Sequence, residues 1–385
     1  MRILFADRLF ERPVFIIECY RLKEIKPTFA RLEKALEQGY HLAGFLSYEA
    51  GYAFEEVFHN DKTYDFPLVC FGAYRSPHPP AKKVAPFSQR EKEGTIVFYP
   101  LPLGEGGRLA PAGEGGSKKH YIHQVRRIKR LIAAGETYQV NHTFKQKFSF
   151  NGQPSALFHR LKARQPTDHS ALIETDKFSV LSLSPELFFS KRGEKITVKP
   201  MKGTIAPGRN NDQILQNDAK NRSENIMIVD LLRNDLGRVA QTGTVQVKKL
   251  FEVEKHPTLY QMTSTIEAKV ASDIELYELF RNIFPSGSVT GAPKVRAMQV
   301  IRELEQEERK IYTGSIGYIT PNKDMHFNVA IRTLLLTTNN SSASSGLQLT
   351  TYKAELGLGS GIVADSNPEA EYAECLLKGR FLAID

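Results

Sequence analysis

The chain has 385 residues, 41% of them hydrophobic and 25% charged, with a net charge of +9 at pH 7, the proportions of an ordinary globular protein. It contains no run of about 18 apolar residues that could span a membrane, and its N-terminus, MRILFADRLFERPV, carries charges where a signal peptide needs an apolar stretch; a cytoplasmic protein is expected. The basic residues are interspersed with acids and bring no nucleic-acid-binding signature, so the charge suits an anionic small molecule at least as well as nucleic acid.

Residues 1–75 alternate short apolar runs with one helical stretch, Pro27 to Gly39, and include the aromatic segment GFLSYEAGYAFE at 44–55, expected in the core. Residues 76–117 concentrate proline and glycine (SPHPPAKK, then PLPLGEGGRLAPAGEGG) around one possible strand at Thr95–Tyr99. Such composition marks a linker, which leaves 1–75 as an N-terminal segment packed on a body spanning 118–385. Ser117 is a predicted N-cap for a helix with Tyr121, Val125, Ile128 and Ile132 on one face, stopped by Gly135. Strands are then predicted in TYQVNHTFKQKFSF, FSVLSLS, LFFSKRG, KITVKP, GTVQVKKL, GSIGYIT, FNVAIRTLLLT and LQLTTYKAELG, with a polar hairpin tip at 337–346. Their short connections favour antiparallel pairing. Helices are predicted over Asn221–Arg233, over Ala292–Glu308 with Pro293 at its first position, and over Pro368–Lys378 between an Asn367 cap and Gly379. The sum is an α+β protein with large antiparallel sheets. Cys19, Cys70 and Cys375 fit neither a disulfide framework nor a zinc site and are expected to be buried.

Three segments could carry chemistry. GSVTGAPKVR, Gly287 to Arg296, puts small residues before a helix start, where free N–H groups attract anions. Its spacing is not that of a nucleotide P-loop, and a plain helix-capping turn is the bland alternative. GLGSGIVADSNPEAEYAE (357–374) joins closely approachable backbone to Glu371 and Glu374, which share a helical face. With Glu224, placed opposite an apolar face of Ile226, Val229 and Leu232, these carboxylates could hold magnesium; most helix-surface glutamates are merely solvated. SPELFFSKRGEKITVKPMKGT (184–204) sets Glu186 and Lys202 at the two ends of a hairpin, with Gly203 leaving room for a ligand. A cleft lysine beside basic groups can lose its proton and act as a nucleophile, and a nearby glutamic acid can protonate a departing hydroxyl. Taken alone, a strand-end lysine is more often just exposed.

The segments SPELFF, KPMKGT, NRSENIMIVDLLRNDLGRVA, FPSGSVTGAPKVRAM, GSIGY, AIRT, GIVADS and EAEYAE resemble, in this order, motifs of the chorismate-utilising enzymes. Those include anthranilate synthase component I, aminodeoxychorismate synthase component I, isochorismate synthase and salicylate synthase. The resemblance runs from about Ser117 to the C-terminus and implies two extended antiparallel sheets packed together with helices outside. It implies magnesium on Glu224 and Glu374 with Glu371 in support, a chorismate carboxylate on Arg332 and Tyr318, and backbone-rich walls at Ser288, Thr290, Gly291, Gly359 and Gly361. Glu186 then matches the acid/base at the 4-hydroxyl.

Two positions separate the branches. Where isochorismate and salicylate synthases carry a water-activating lysine, this chain has Gln139. Where anthranilate synthases carry alanine, it has Lys202, similar to the aminodeoxychorismate synthases. That resemblance implies a covalent lysine at C2 of chorismate and addition of ammonia at C4, on the route to 4-aminobenzoate and folate. Gln261 stands where relatives have a histidine, as suits an enzyme that stops before pyruvate elimination, and His256 is expected to be structural. None of the cysteines sits in an amidotransferase setting, so a separate glutamine amidotransferase subunit, or free ammonia, is the expected nitrogen source. The rivals are anthranilate synthase component I, a non-catalytic scaffold that binds an aromatic acid, and a basic nucleic-acid-binding protein, the last resting on net charge alone.

Overall fold

The structure, a computed structural model, describes residues 1–77, 97–100, 116–255, 259–338 and 351–382. Most of the predicted linker, the polar tip from residue 339 onward and His256 lie outside them. Two sheets dominate, and all their pairings are antiparallel. The first has nine strands, in the order Gly291–Ala292, Gln139–Asn151, Thr351–Ile362, Thr333–Thr338, Phe178–Ser182, Ala171–Glu174, Arg2–Phe5 and Arg8–Phe10, with Val97–Pro100 also on Gln139–Asn151. The second has ten: Met201–Ile205, Tyr260–Lys269, Lys195–Lys199, Leu187–Arg192, Met325–Val329, Ser315–Ile319, His41–Leu46, Val69–Tyr74 and Phe15–Cys19, with Gln246–Lys255 on Tyr260–Lys269. Residues 2–74 thus supply strands to both sheets.

Alternation along the strands explains why the sheets stack. Ile3 and Phe5 of the first sheet meet Ala43, Phe45 and Ile316 of the second in one buried cluster, and each such aromatic or aliphatic side chain contributes roughly 1.5–3 kcal/mol by leaving water. Strand Thr351–Ile362 turns Leu356, Leu358 and Ile362 into the main core. Period two then sends Gly357, Gly359 and Gly361 to the opposite face, where the glycines admit neighbours closely. Tyr48, Tyr52 and Phe54 of the 44–55 segment are buried, as are all three cysteines. Among the described residues, no helix is long and apolar enough to cross a membrane.

Several local expectations are corrected. FNVAIRTLLLT is two strands, Met325–Val329 in the second sheet and Thr333–Thr338 in the first. The chain crosses between sheets at Ala330–Arg332, and Arg332 takes the left-handed φ of 49°. The helix predicted to Glu308 is Lys294–Leu304, with Pro293 at its N-cap; beyond it the side chains of Glu305 and Arg309 turn inward and pair. Helix Ala219–Gly237 buries Asn225, Ile228, Val229 and Leu232, while Ile226 is 45% exposed. Strand Tyr260–Lys269 has no apolar run to announce it.

Candidate active site

The edge of the first sheet at Gly291–Ala292 and Gln139–Asn151 and the edge of the second at Met201–Ile205 carry the side chains that converge. Lys202 lies on that second edge strand, with a register shift between Lys202 and Thr204. Gly203 does not leave room for a ligand: at φ +76°, its missing side chain makes way for Asn221 and Leu215. The lysine side chain is only 17% exposed, and its Nζ lies 3.7 Å from Glu224 Oε2. Across from it, a Cβ on Gly361 would sit 2.8 Å from Gln139 Nε2 and 3.5 Å from Lys202 Nζ. The Gln139 amide is buried with neither end hydrogen-bonded among the described residues, an arrangement costly to keep without a ligand to complete it.

Glu186 precedes strand Leu187–Arg192, which forms with Lys195–Lys199 the expected hairpin whose open end carries Glu186 and Lys202. Burial pushes the Glu186 carboxyl up to about 7, against the smaller opposing effects of a hydrogen bond from the Ser288 side chain and the charge of Lys202. A carboxyl poised near neutrality beside an amine is suited to proton transfer. Ser288 is held in turn by Ser286, whose hydroxyl lies 3.0 Å from its own. Thr290 Oγ1 donates to the Ser286 carbonyl at 3.1 Å. Gly291 has φ +145°, and a Cβ there would fall 2.1 Å from the Gln139 carbonyl, so glycine is required for this strand to pair with Gln139–Val140.

Glu224 also faces Lys220, 3.9 Å away. Burial pushes the Glu374 carboxyl up, but Lys378, at 2.9 Å, followed by Lys220 and Lys202, holds it below the usual range. Two carboxylates from different helices therefore both feel the charges of Lys202 and Lys220. Glu371 is buried and accepts a hydrogen bond from the Ser366 hydroxyl at 2.7 Å, which ties down the turn before the last helix. No group of three or more histidine, cysteine or acidic side chains is gathered as a metal cage among the described residues. Glu224 and Glu374 are the carboxylates that would hold a magnesium ion, which commonly takes one or two carboxylates and completes its shell with water and substrate oxygens.

Arg332, at the crossover, is held below the ordinary arginine range by burial alone. No side-chain hydrogen bond or ion pair engages its guanidinium among the described residues, so it is a cation that lacks an anion. Gly359 packs against Thr143 and the His142 carbonyl. Tyr318 is not brought to this cluster: its ring packs with Phe5, Phe10 and His326 in the inter-sheet layer, under Arg8. Tyr312, which sequence reasoning passed over, lies instead on the glycine face, where a Cβ on Gly357 would meet its ring at 2.1 Å. Gln261 is buried and donates to the Met201 thioether at 3.0 Å.

The family model for chorismate binding enzymes matches residues 16–383. The chain is 35% identical over 283 residues to aminodeoxychorismate synthase component 1 of Bacillus subtilis, covering 72% of this chain and 57% of the relative. To anthranilate synthase component 1 of Aquifex aeolicus it is 33% identical over 272 residues, covering 69% and 52%. It therefore spans little more than half the length of these curated relatives. The crystal structure of anthranilate synthase component I from Streptococcus pneumoniae superposes with a TM-score of 0.74 at 23% identity, over all of this chain and 92% of the other. By its family match over nearly its whole length and by its two-sheet fold, the chain belongs to the chorismate binding enzymes.

Proposed function

We propose that this protein is an aminodeoxychorismate synthase: it replaces the 4-hydroxyl of chorismate with an amino group, in the cytoplasm, using ammonia from a glutamine amidotransferase partner. The observation that carries the reading is Lys202, enclosed between Glu224 and the Gly361–Gln139 wall with Glu186 close by. Alanine at this position would leave no nucleophile, as an anthranilate synthase requires none. The neutral Gln139 cannot deprotonate water, which disfavours the water-adding branch.

In the proposed sequence the Lys202 amine forms a bond to C2 of the ring, and the double bond shifts as the C4 oxygen leaves. Glu186 gives its proton to that oxygen, so water departs. Ammonia then bonds to C4, the double bond shifts back, and Lys202 is released; Glu186 takes up the proton that ammonia sheds. The balance is chorismate plus ammonia to 4-amino-4-deoxychorismate plus water. Arg332 would bind a substrate carboxylate. Magnesium held by Glu224 and Glu374 would supply positive charge to another, and it is proposed here on the strength of that carboxylate pair. Chorismate, magnesium and an ammonium salt should give the 4-amino product. Without ammonia, mass spectrometry should find a substrate adduct on Lys202 that is absent in Lys202→Ala. Direct formation of anthranilate and pyruvate would refute the assignment.

A further inference from the structure

Just outside the site, Arg309 is 3% exposed and uses all of its guanidinium donors. Nε and Nη2 donate to the two oxygens of Glu305 at 2.8 and 2.7 Å. Nη1 donates to the Val289 carbonyl at 2.9 Å and to Thr313 Oγ1 at 3.2 Å. Nη2 also donates to the Asn141 carbonyl at 2.6 Å. The Tyr48 ring closes the pocket 4.4 Å from the guanidinium carbon. Glu305 extends the network by accepting from the Thr143 N–H at 2.8 Å. One planar fork thus ties together three separate stretches: the segment that presents Ser288 to Glu186, the strand that presents Gln139 to Lys202, and the turn that carries Tyr312.

Resting on the function proposed above, we propose that Arg309 is a positioning residue for the amination, setting Ser288 against Glu186 and Gln139 beside Lys202 without touching substrate. Lysine cannot replace it, because an ammonium offers its donors from one point and cannot reach carbonyls on opposite sides. A displacement of about 1 Å at the walls of such a site costs on the order of a hundredfold in rate.

The test is Arg309→Lys, assayed with chorismate, magnesium and ammonium after circular dichroism confirms folding. The expected result is a kcat lowered roughly 10- to 100-fold with KM little changed. The alkaline limb of the kcat profile should also move to higher pH, since a displaced Ser288 no longer favours the Glu186 carboxylate. Lys147→Ala, which breaks an exposed pair with Glu307 nearby, should behave as wild type. A folded Arg309→Lys with wild-type kcat and an unmoved limb overturns the proposal. If that variant does not fold, Glu305→Gln, which weakens the anchor but leaves Arg309 in place, is judged by the same two readouts. If the wild-type protein makes no aminated product, the functional reading fails separately. The proposal is then judged on geometry, by the crystal structure of Arg309→Lys, and Ser288 and Gln139 side chains that have not moved overturn it.

Discussion

Glu186→Gln separates the cost of a poised carboxyl from its use. Glu186 is 5% exposed, and burial raises its pKa from 4.5 to about 7, with Ser288 and Lys202 pulling the other way. Because the folded value is the higher one, the folded chain binds more protons than the unfolded chain between those two pH values, and stability falls as pH rises through that window. The gap, 7 minus 4.5, corresponds to about 3 kcal/mol at about 1.4 kcal/mol per unit, absent below the window and fully felt above it. Glutamine has nearly the same shape and no charge at any pH, so the variant escapes this cost. With an unfolding entropy of about 2.1 cal/mol/K per residue over 385 residues, the melting temperature should rise by about 4 °C at pH 8 and hardly at all at pH 4.5. Calorimetric melts of both proteins at the two pH values measure it. Glu49, also buried and raised to about 7, is common to both chains and cancels in the difference. Amination should meanwhile fall by about 10²- to 10⁴-fold, the usual share of a general acid. The same melting difference at both pH values would refute the burial argument for Glu186.

Other substitutions test the walls. Gly361→Ala drives a methyl into Gln139 and against Lys202 and should lower kcat about a hundredfold; Gly237→Ala, where a Cβ meets nothing within 4 Å, should not, and equal rates in the two would discount the glycine wall. Arg332→Met removes a half-buried cation that lacks an anion, so the variant should melt higher while its KM for chorismate rises at least ~30-fold, as losing a desolvated charge contact predicts; an unchanged KM would remove Arg332 from the site. Tyr318→Phe should leave both constants alone, whereas Tyr312→Phe should raise KM about tenfold, the worth of a hydroxyl bonded to a charged ligand. The reverse pattern would restore the sequence assignment of Tyr318.

The difference between those two tyrosines shows what the sequence could and could not reveal. The helix Pro368–Gly379 was legible because its determinants are local: Asn367 caps it through a bond to the Ala370 N–H. The strand predicted to end at Gly357 runs on to Ile362, so the glycines expected only as approachable backbone form one face of a strand by alternation. In IYTGSIGYI each tyrosine sits between an isoleucine and a small or polar residue, and nothing local tells them apart. Tyr318 is sent to the inter-sheet layer because Ser315–Ile319 pairs with His41–Leu46, more than 260 residues earlier in the chain, and places Ile316 and Tyr318 on its inner face. Arg332 was identified as a residue type, but its isolation depends on the chain changing sheets, which no periodicity marks. Arg309 is the extreme case. EQEERK reads as a solvated charge run, yet its arginine is buried because carbonyls 20 and 168 residues away, one in a turn and one in a strand, converge on it. At 3% exposure the Arg309 charge would be strongly destabilising without acceptors for its donors, so the network that makes it structurally possible is also what links the walls around Lys202 to one another.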